Sequence, residues 1–155
     1  MTAVTFRPAA RADLEAIVAL LVQDELGWTR EQANGAVTAP YITAFEAIAA
    51  DPHNEVLVGE DTDGIFGTMQ LTFIANLTLQ GTTRCQIEGV RIAERARGHG
   101  LGQQMIRWAI DRARTRGCCI MQLTSNKARE RAIAFYEQLG FEASHVGFKL
   151  YLDPE

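Results

Sequence analysis

Arg97-Gly98-His99-Gly100-Leu101-Gly102 is the stretch whose residue types point most directly to chemistry. It joins a strand-like segment that ends near Ile92 to an amphipathic segment that begins near Gly100. A helix N-terminus leaves main-chain N–H groups unpaired and carries partial positive charge, so it attracts phosphate. Glycines let the backbone approach oxygen atoms closely and take up positive φ. The competing reading is a strand-to-helix turn that needs glycine only for its shape. Two familiar phosphate loops are excluded. The P-loop requires Lys and then Ser or Thr after its last glycine, and here Gln103 follows Gly102. The dinucleotide fingerprint is G-x-G-x-x-G after an early strand of a parallel sheet, whereas this spacing is G-x-G-x-G, late in the chain.

The elements that must position this loop can be read from periodicity. Val4 to Arg7 predicts a first strand. Leu14, Ile17, Val18 and Leu21 follow an i, i+3, i+4, i+7 pattern, the apolar face of a helix, with Asp13 and Glu15 at its positive end. Residues 24–50 are broken by Gly27, Gly35 and Pro40, although Tyr41 to Ala50 can be helical. Glu55–Glu60 and Ile65–Leu79 predict two strands around the hairpin signal Asp63-Gly64. Residues 84–92 predict another strand. A helix follows over about 100–116, with Leu101, Met105, Ala109 and Ala113 on its apolar face and Gly117 ending it. Cys118–Thr124 predicts a buried parallel strand, residues 128–139 a helix that stops at Gly140, and Val146–Leu152 a last strand. The expected fold is α/β (α+β), a mixed, mostly antiparallel sheet of about six or seven strands with about four helices on its faces.

Bulk properties narrow the classes of function. The 155 residues suit a single domain, 1–155, with a core large enough to need no metal or disulfide. A net charge of −4 argues against a nucleic-acid binder that works by neutralising phosphates. Cys85, Cys118 and Cys119 cannot all pair within the chain and complete no zinc-ligand spacing, so they are expected to be reduced core thiols. The N-terminus has no signal pattern and no segment is long and apolar enough to span a bilayer, so the expected location is cytoplasmic, with no membrane or nucleic-acid partner.

The loop from Arg97 to Gly102 resembles the pyrophosphate-binding signature of the GNAT superfamily of acetyl-CoA-dependent N-acetyltransferases, and matches it throughout. The resemblance extends to its context. Ile87-Glu88-Gly89-Val90-Arg91-Ile92 is similar to the family's preceding strand, and Ala132 to Phe141 (AIAFYEQLGF) to its late helix and turn. Phe6-Arg7-Pro8 with Asp13-Leu14 is similar to its start, and the likeness is weakest over residues 24–50, which in this family shape the acceptor site. The resemblance implies acetyl-CoA as co-substrate, no metal, and cofactor contacts from Val90, Arg91 and Ile92, from the loop Arg97, Gly98, His99, Gly100, Leu101, Gly102 and Gln103, and from the 126–129 segment. One position departs from the pattern. Seven residues before Tyr136 the family often has Asn, and here it is Arg129, with Asn126 three residues earlier. Arg129 either meets a phosphate of the cofactor or is a solvated helix charge.

Amide formation from a thioester needs a neutral amine, a polarised carbonyl and a protonated leaving thiol. An amine of pKa ~10.4 is neutral about once in 10³ molecules at pH 7, so a base is useful. The resemblance places Glu88 in that role. The alternative is a solvated strand Glu. Tyr136 matches the family's proposed general acid, a phenol able to donate to a thiolate whose conjugate acid has pKa ~8.5. A backbone N–H near Val90 would polarise the carbonyl. Cys85 lacks a neighbouring His, which argues against a covalent acyl-enzyme. His53, His99 and His145 are expected at the surface.

The leading expectation is direct acetyl transfer to a small-molecule primary amine, with Asp24, Glu25 and Glu46 as candidate acids for a cationic acceptor. The alternatives are a protein N-terminal or lysine acetyltransferase, a non-catalytic acyl-CoA-binding module, and an unrelated nucleotide-binding domain. A homodimer is common in the family and is the expected self-association.

Overall fold

The computed structural model describes residues 3–23 and 36–152. Its centre is one sheet of five strands in the order β1 (Thr5–Pro8), β2 (Asn54–Asp61), β3 (Gly64–Ala75), β4 (Thr83–Ile92) and β5 (Cys118–Leu123). The first four run antiparallel to their neighbours, and β4 and β5 are parallel. Four helices accompany it among the described residues: α1 (Leu14–Leu21), α2 (Ala39–Ala50), α3 (Leu101–Thr115) and α4 (Glu130–Gln138), with shorter turns at Arg11–Asp13, Thr78–Gly81 and Glu94–Ala96.

Each element has a local cause. The hairpin β2–β3 turns through Thr62-Asp63, with Asp61 opposite Gly64 at φ 103°. The Asp61 carboxylate accepts the Asp63 N–H at 2.9 Å, the side-chain brace that favours Asp in turns. Helix α1 buries Leu14, Ile17, Val18 and Leu20, so Leu20 takes the place expected for Leu21. Helix α3 buries Met105, Ile106, Ala109 and Ala113 and ends at Gly117, φ 74°.

The principal core lies between one sheet face and α3. Leu57, Met69, Leu71, Phe73, Cys85 and Ile87 meet Met105, Ile106, Ala109 and Ala113 there. On the opposite face α1 and α2 pack through Leu14, Val18 and Phe45. Burial at roughly 1.5–3 kcal/mol per large side chain makes these layers the main cohesive force. Bidentate contact of Arg112 with Glu55, at 2.5 and 3.0 Å, ties α3 to β2.

Three expectations need correction. Val146–Leu152 forms no strand, so the sheet has five strands among the described residues rather than six or seven. Strand β3 stops at Ala75, because the chain leaves the ladder for a turn in which Leu79 and Gln80 take φ of 52° and 62°. Strand β5 is parallel to β4 as expected but half-buried to exposed rather than buried, with no second strand neighbour among the described residues, and Cys119 is exposed rather than in the core.

Arg7 anchors the N-terminal end. Its guanidinium donates to both Asp13 carboxylate oxygens, at 2.7 and 3.1 Å, and to Glu60 at 2.9 and 3.0 Å. Asp13 also accepts the Ala10 N–H at 2.7 Å. The Arg7 hydrogen bonds hold the Asp13 carboxyl below the usual carboxylate range. A depressed folded-state pKa gives stability that is present above the unfolded value, about 3.9, and lost as pH falls through the folded one. Asp13→Asn is therefore expected to lower stability by about 1 kcal/mol at pH 7 and to flatten its decline below about pH 4. Urea unfolding of both forms at neutral and acidic pH checks this.

Candidate active site

Strand β4 carries the first device. Opposite β3, Gln70 pairs with Glu88 and Thr68 with Arg91, so Gly89 and Val90 together face Met69. This is a β-bulge, and Gly89 supports it at φ 62°. The extra residue switches the strand's parity. Before it, odd residues Cys85 and Ile87 face α3, and after it even residues Val90 and Ile92 do. Arg84, Gln86 and Glu88 consequently lie on the other face. The bulge escaped the sequence reading, although a lone glycine within a strand pattern is its signal.

The second device is the parting of β4 from β5. Their parallel pairing runs from Thr83–Cys118 to Ile87–Leu123 and ends there. Beyond it, the bulged end of β4 has no strand on its β5 side among the described residues, which leaves a cleft flanked by Gly89, Val90 and Arg91.

The third device is the loop that follows. Arg95 donates to Asp61 at 2.8 and 3.1 Å and to the Gly64 carbonyl at 3.1 Å, which fixes the turn before the loop on the β2–β3 hairpin. Arg97 Nε donates to the Ile92 carbonyl at 3.1 Å, so this side chain pins the loop to the end of β4. Gly98 and Gly100 take φ of 78° and 75°, and Gly100 is the N-cap of α3. The Gln104 N–H donates to the Gly100 carbonyl at 3.1 Å, so the N–H groups of Leu101, Gly102 and Gln103 precede the intrahelical ladder of α3. His99 is exposed, and Leu101, Gly102 and Gln103 are half-buried. A Cβ at Gly102 would lie 3.5 Å from both Ile92 Cγ1 and Phe135 Cζ, so the first helical turn rests on β4 and α4.

Helix α4 brings Tyr136. Its ring packs edge-on against Phe135 at 5.2 Å and Phe141 at 5.7 Å between centroids. Burial pushes its hydroxyl pKa above the usual tyrosine range, and the guanidinium groups of Arg129 and Arg91 oppose that shift. Arg91 and Arg129 therefore each lie within electrostatic reach of Tyr136. Arg91 also donates to the Val90 carbonyl at 2.8 Å. Arg129 is the N-cap of α4, and its N–H donates to the Asn126 carbonyl at 2.9 Å. Asn126 is exposed, and its side chain accepts the Ala128 N–H at 2.9 Å. Glu88 is exposed on the face away from α3, immediately before the bulge.

Other candidates separate from this group. Cys85 is buried, and burial pushes its thiol pKa up to about 12, so it is an inert core sulfur at neutral pH. His53 and His145 are exposed. Asp24 and Glu25 lie outside the described residues, and Glu46 is exposed on α2. The groove lined by Pro8, Phe45, Ile48 and Glu55 between α2 and β2 contains none of the site residues, and its Glu55 is committed to Arg112. No group of three or more His, Cys, Asp or Glu suited to a metal occurs among the described residues. No helix among them is long and apolar enough to cross a membrane.

Comparison with known proteins identifies the family. The model of the Acetyltransferase (GNAT) family matches residues 20–141. The chain belongs to this family. By family it is an acyltransferase, and acetyl-CoA is the co-substrate that GNAT membership implies. A glucosamine 6-phosphate N-acetyltransferase of Trypanosoma brucei brucei is 32% identical over 98 residues, covering 63% of this chain. The match spans 65% of that relative's length. Among solved structures, a Bacillus halodurans C-125 protein described as a transcriptional regulator is 46% identical, with a TM-score of 0.92 over 97% of this chain and 100% of that one. The glucosamine-6-phosphate N-acetyltransferase of Arabidopsis thaliana shares the GNAT fold, with a TM-score of 0.78, 20% identity and coverage of 97% and 99%.

Proposed function

We propose that the protein transfers acetyl from acetyl-CoA directly to a primary amine of a small molecule. The observation that carries this reading is the N-terminus of α3, where the amides of Leu101, Gly102 and Gln103 precede the intrahelical ladder, set beside the cleft where β4 leaves β5. Those amides and the N-terminus of α3 suit a diphosphate, and Arg97 acts by holding the loop rather than by reaching for the anion. The bulge takes Gly89 and Val90 out of one-to-one register with β3, and the Val90 N–H serves to polarise a carbonyl, a kind of preorganised donor worth roughly 3–4 kcal/mol. Glu88 takes a proton from the amine, directly or through water, and Tyr136 gives one to the departing thiol. They stand on opposite faces of the sheet and work across the cleft. Arg91, Ile92, Asn126 and Arg129 border the cofactor's path. Arg129 stands at the N-cap position of α4, and its charge opposes the effect of burial on the Tyr136 hydroxyl.

The floor of β4 and its neighbours favours a polar acceptor. Gln122 donates to Gln86 at 2.7 Å, and Thr72 and Gln70 donate to Asn54 at 2.7 and 3.3 Å, all half-buried. Arg84 Nε is buried there with no hydrogen-bond partner among the described residues, a donor available to an anionic group. The trypanosomal relative's name supplies a matching class, the amino sugar phosphates.

The test is a panel of amines with acetyl-CoA and a free-thiol readout: amino sugars with and without phosphate, polyamines, amino acids, and peptides presenting an N-terminus or a lysine. Turnover with a small amine, at least about tenfold above the peptides in kcat/KM, is the expected result. A preference for peptides would replace the small-molecule acceptor. A second reading, a non-catalytic acyl-CoA-binding module, draws on the regulator description of the Bacillus halodurans protein. It predicts cofactor binding with no thiol release from any amine.

A further inference from the structure

Asp51, just ahead of β2, sets the direction of a hydrogen-bonded chain of side chains that ends beside Glu88. Strand register places Asn54, Thr72, Gln70 and Glu88 on the sheet face away from α3. Asn54 stands opposite Thr72, and Gln70 stands between Val56 on β2 and Glu88 on β4. Val56 offers the Gln70 amide no polar side chain, and Gln70 reaches diagonally to Asn54 instead. Directly opposed residues of antiparallel strands hold their Cβ atoms about 5 Å apart, so Gln70 and Glu88 are immediate neighbours.

The inventory of donors and acceptors fixes which way each amide turns. Asp51 accepts the His53 N–H at 2.8 Å and the Asn54 Nδ2 group at 2.7 Å. Those bonds hold its carboxyl below the usual carboxylate range, so at neutral pH it is ionised and only accepts. Asn54 must therefore give its amide nitrogen to Asp51 and its oxygen to β3. That oxygen accepts the Thr72 hydroxyl at 2.7 Å and the Gln70 Nε2 group at 3.3 Å. The Gln70 carbonyl oxygen takes no part in this chain. Beside it stands the Glu88 carboxylate, exposed and one residue past Ile87, where the β4–β5 pairing ends. Among the described residues Glu88 forms no salt bridge. Two neighbouring acceptors call for a group that only donates, and a primary ammonium, with three N–H bonds and no lone pair, is such a group.

We infer that Gln70, its nitrogen held on the β2 side, uses its carbonyl oxygen together with the Glu88 carboxylate to seat the primary ammonium of the acceptor. Glu88 keeps the part of base given to it by the acetyl-transfer reading, on which this inference rests. It takes one proton of the ammonium, which frees the nitrogen lone pair for the thioester carbon. A second N–H donates to Gln70 and is the one that the amide product retains. The third proton leaves to solvent once the C–N bond has formed, the C–S bond breaks, and the departing sulfur takes a proton from Tyr136. Gln70 thus touches the amine, while Asn54 and Asp51 position Gln70.

The test uses the full chain with acetyl-CoA and glucosamine 6-phosphate or, where that is not turned over, the panel amine of highest kcat/KM. Gln70→Met keeps the length of the side chain and removes its acceptor. It should raise KM for the amine by about tenfold or more and leave KM for acetyl-CoA within about twofold, with an unchanged melting temperature. Asn54→Ala releases the Gln70 amide and should raise the amine KM by about fivefold alone, but no further in the Gln70→Met background, because it acts through Gln70. An amine KM within about twofold of wild type in Gln70→Met overturns the inference, as does an equal rise in both KM values. Additive effects of the two substitutions overturn the relay through Asn54. Absence of thiol release with every amine of the panel is a separate failure, since it removes the acetyl-transfer reading and this inference with it.

Discussion

Tyr136→Phe is expected to lower kcat by about 100-fold or more and to leave affinity for coenzyme A within about threefold. The substitution removes only the hydroxyl. Both edge-on ring contacts, with Phe135 and Phe141, remain available to phenylalanine, so the melting temperature should stay close to that of the wild type. A proton donor used only as the thiol departs acts in the transition state, and its loss belongs in kcat rather than in cofactor binding. A hundredfold fall corresponds to about 2.7 kcal/mol, well within what general acids supply. The direction of the pKa shift adds a second signature. Burial raises the hydroxyl above the ordinary tyrosine range despite Arg129 and Arg91, so Tyr136 stays protonated throughout neutral pH. The wild type should show no loss of kcat from tyrosine ionisation below about pH 10. Steady-state kinetics with calorimetry of coenzyme A binding checks both. Unchanged turnover would reduce Tyr136 to a packing residue.

Gly100→Asp is expected to weaken coenzyme A binding by about 100-fold, while Gly100→Asn weakens it by only a few fold. The pair separates shape from charge. Gly100 sits at φ 75°, a left-handed conformation that Asn and Asp tolerate better than other side chains. A Cβ there meets nothing within 4 Å, so either substitution fits sterically. Their shared backbone cost cancels in the comparison, and the carboxylate remains. Two unit charges 4 Å apart interact by about 4 kcal/mol at an effective dielectric of 20, and exposure of the loop cuts this to roughly 2–3 kcal/mol. That repulsion appears only if a diphosphate lies against these amides. Equal affinities for the two variants would place the cofactor elsewhere and remove the basis of the site.

Much of this arrangement was legible because its causes are local. The Asp63-Gly64 turn, the apolar stripe of α3 and the glycine loop each follow from short-range preference or fixed spacing. The resemblance then placed Tyr136 near the loop. Other features depend on residues far apart in sequence. The apolar composition of Cys118–Leu123 suggested a strand covered on both sides, but composition cannot say whether a second neighbour exists. The early end of β3 depends on Leu79 and Gln80 accepting left-handed conformations, which their residue types do not announce. The bulge at Gly89 changed which side chains of β4 face α3, and one inserted residue is enough to do so.

By itself the sequence determined the first five strands, the helices that follow clear apolar periodicity, their order, and a glycine-rich loop ahead of an amphipathic helix, since these follow from backbone sterics and the spacing of apolar residues. Only the tertiary structure decided that β4 and β5 separate after Ile87, that Arg91 and Arg129 bear on Tyr136, and that residues 146–152 pair with no strand among the described residues. Those outcomes depend on pairings between distant segments, whose energies are comparable for several registers until packing on both faces selects one.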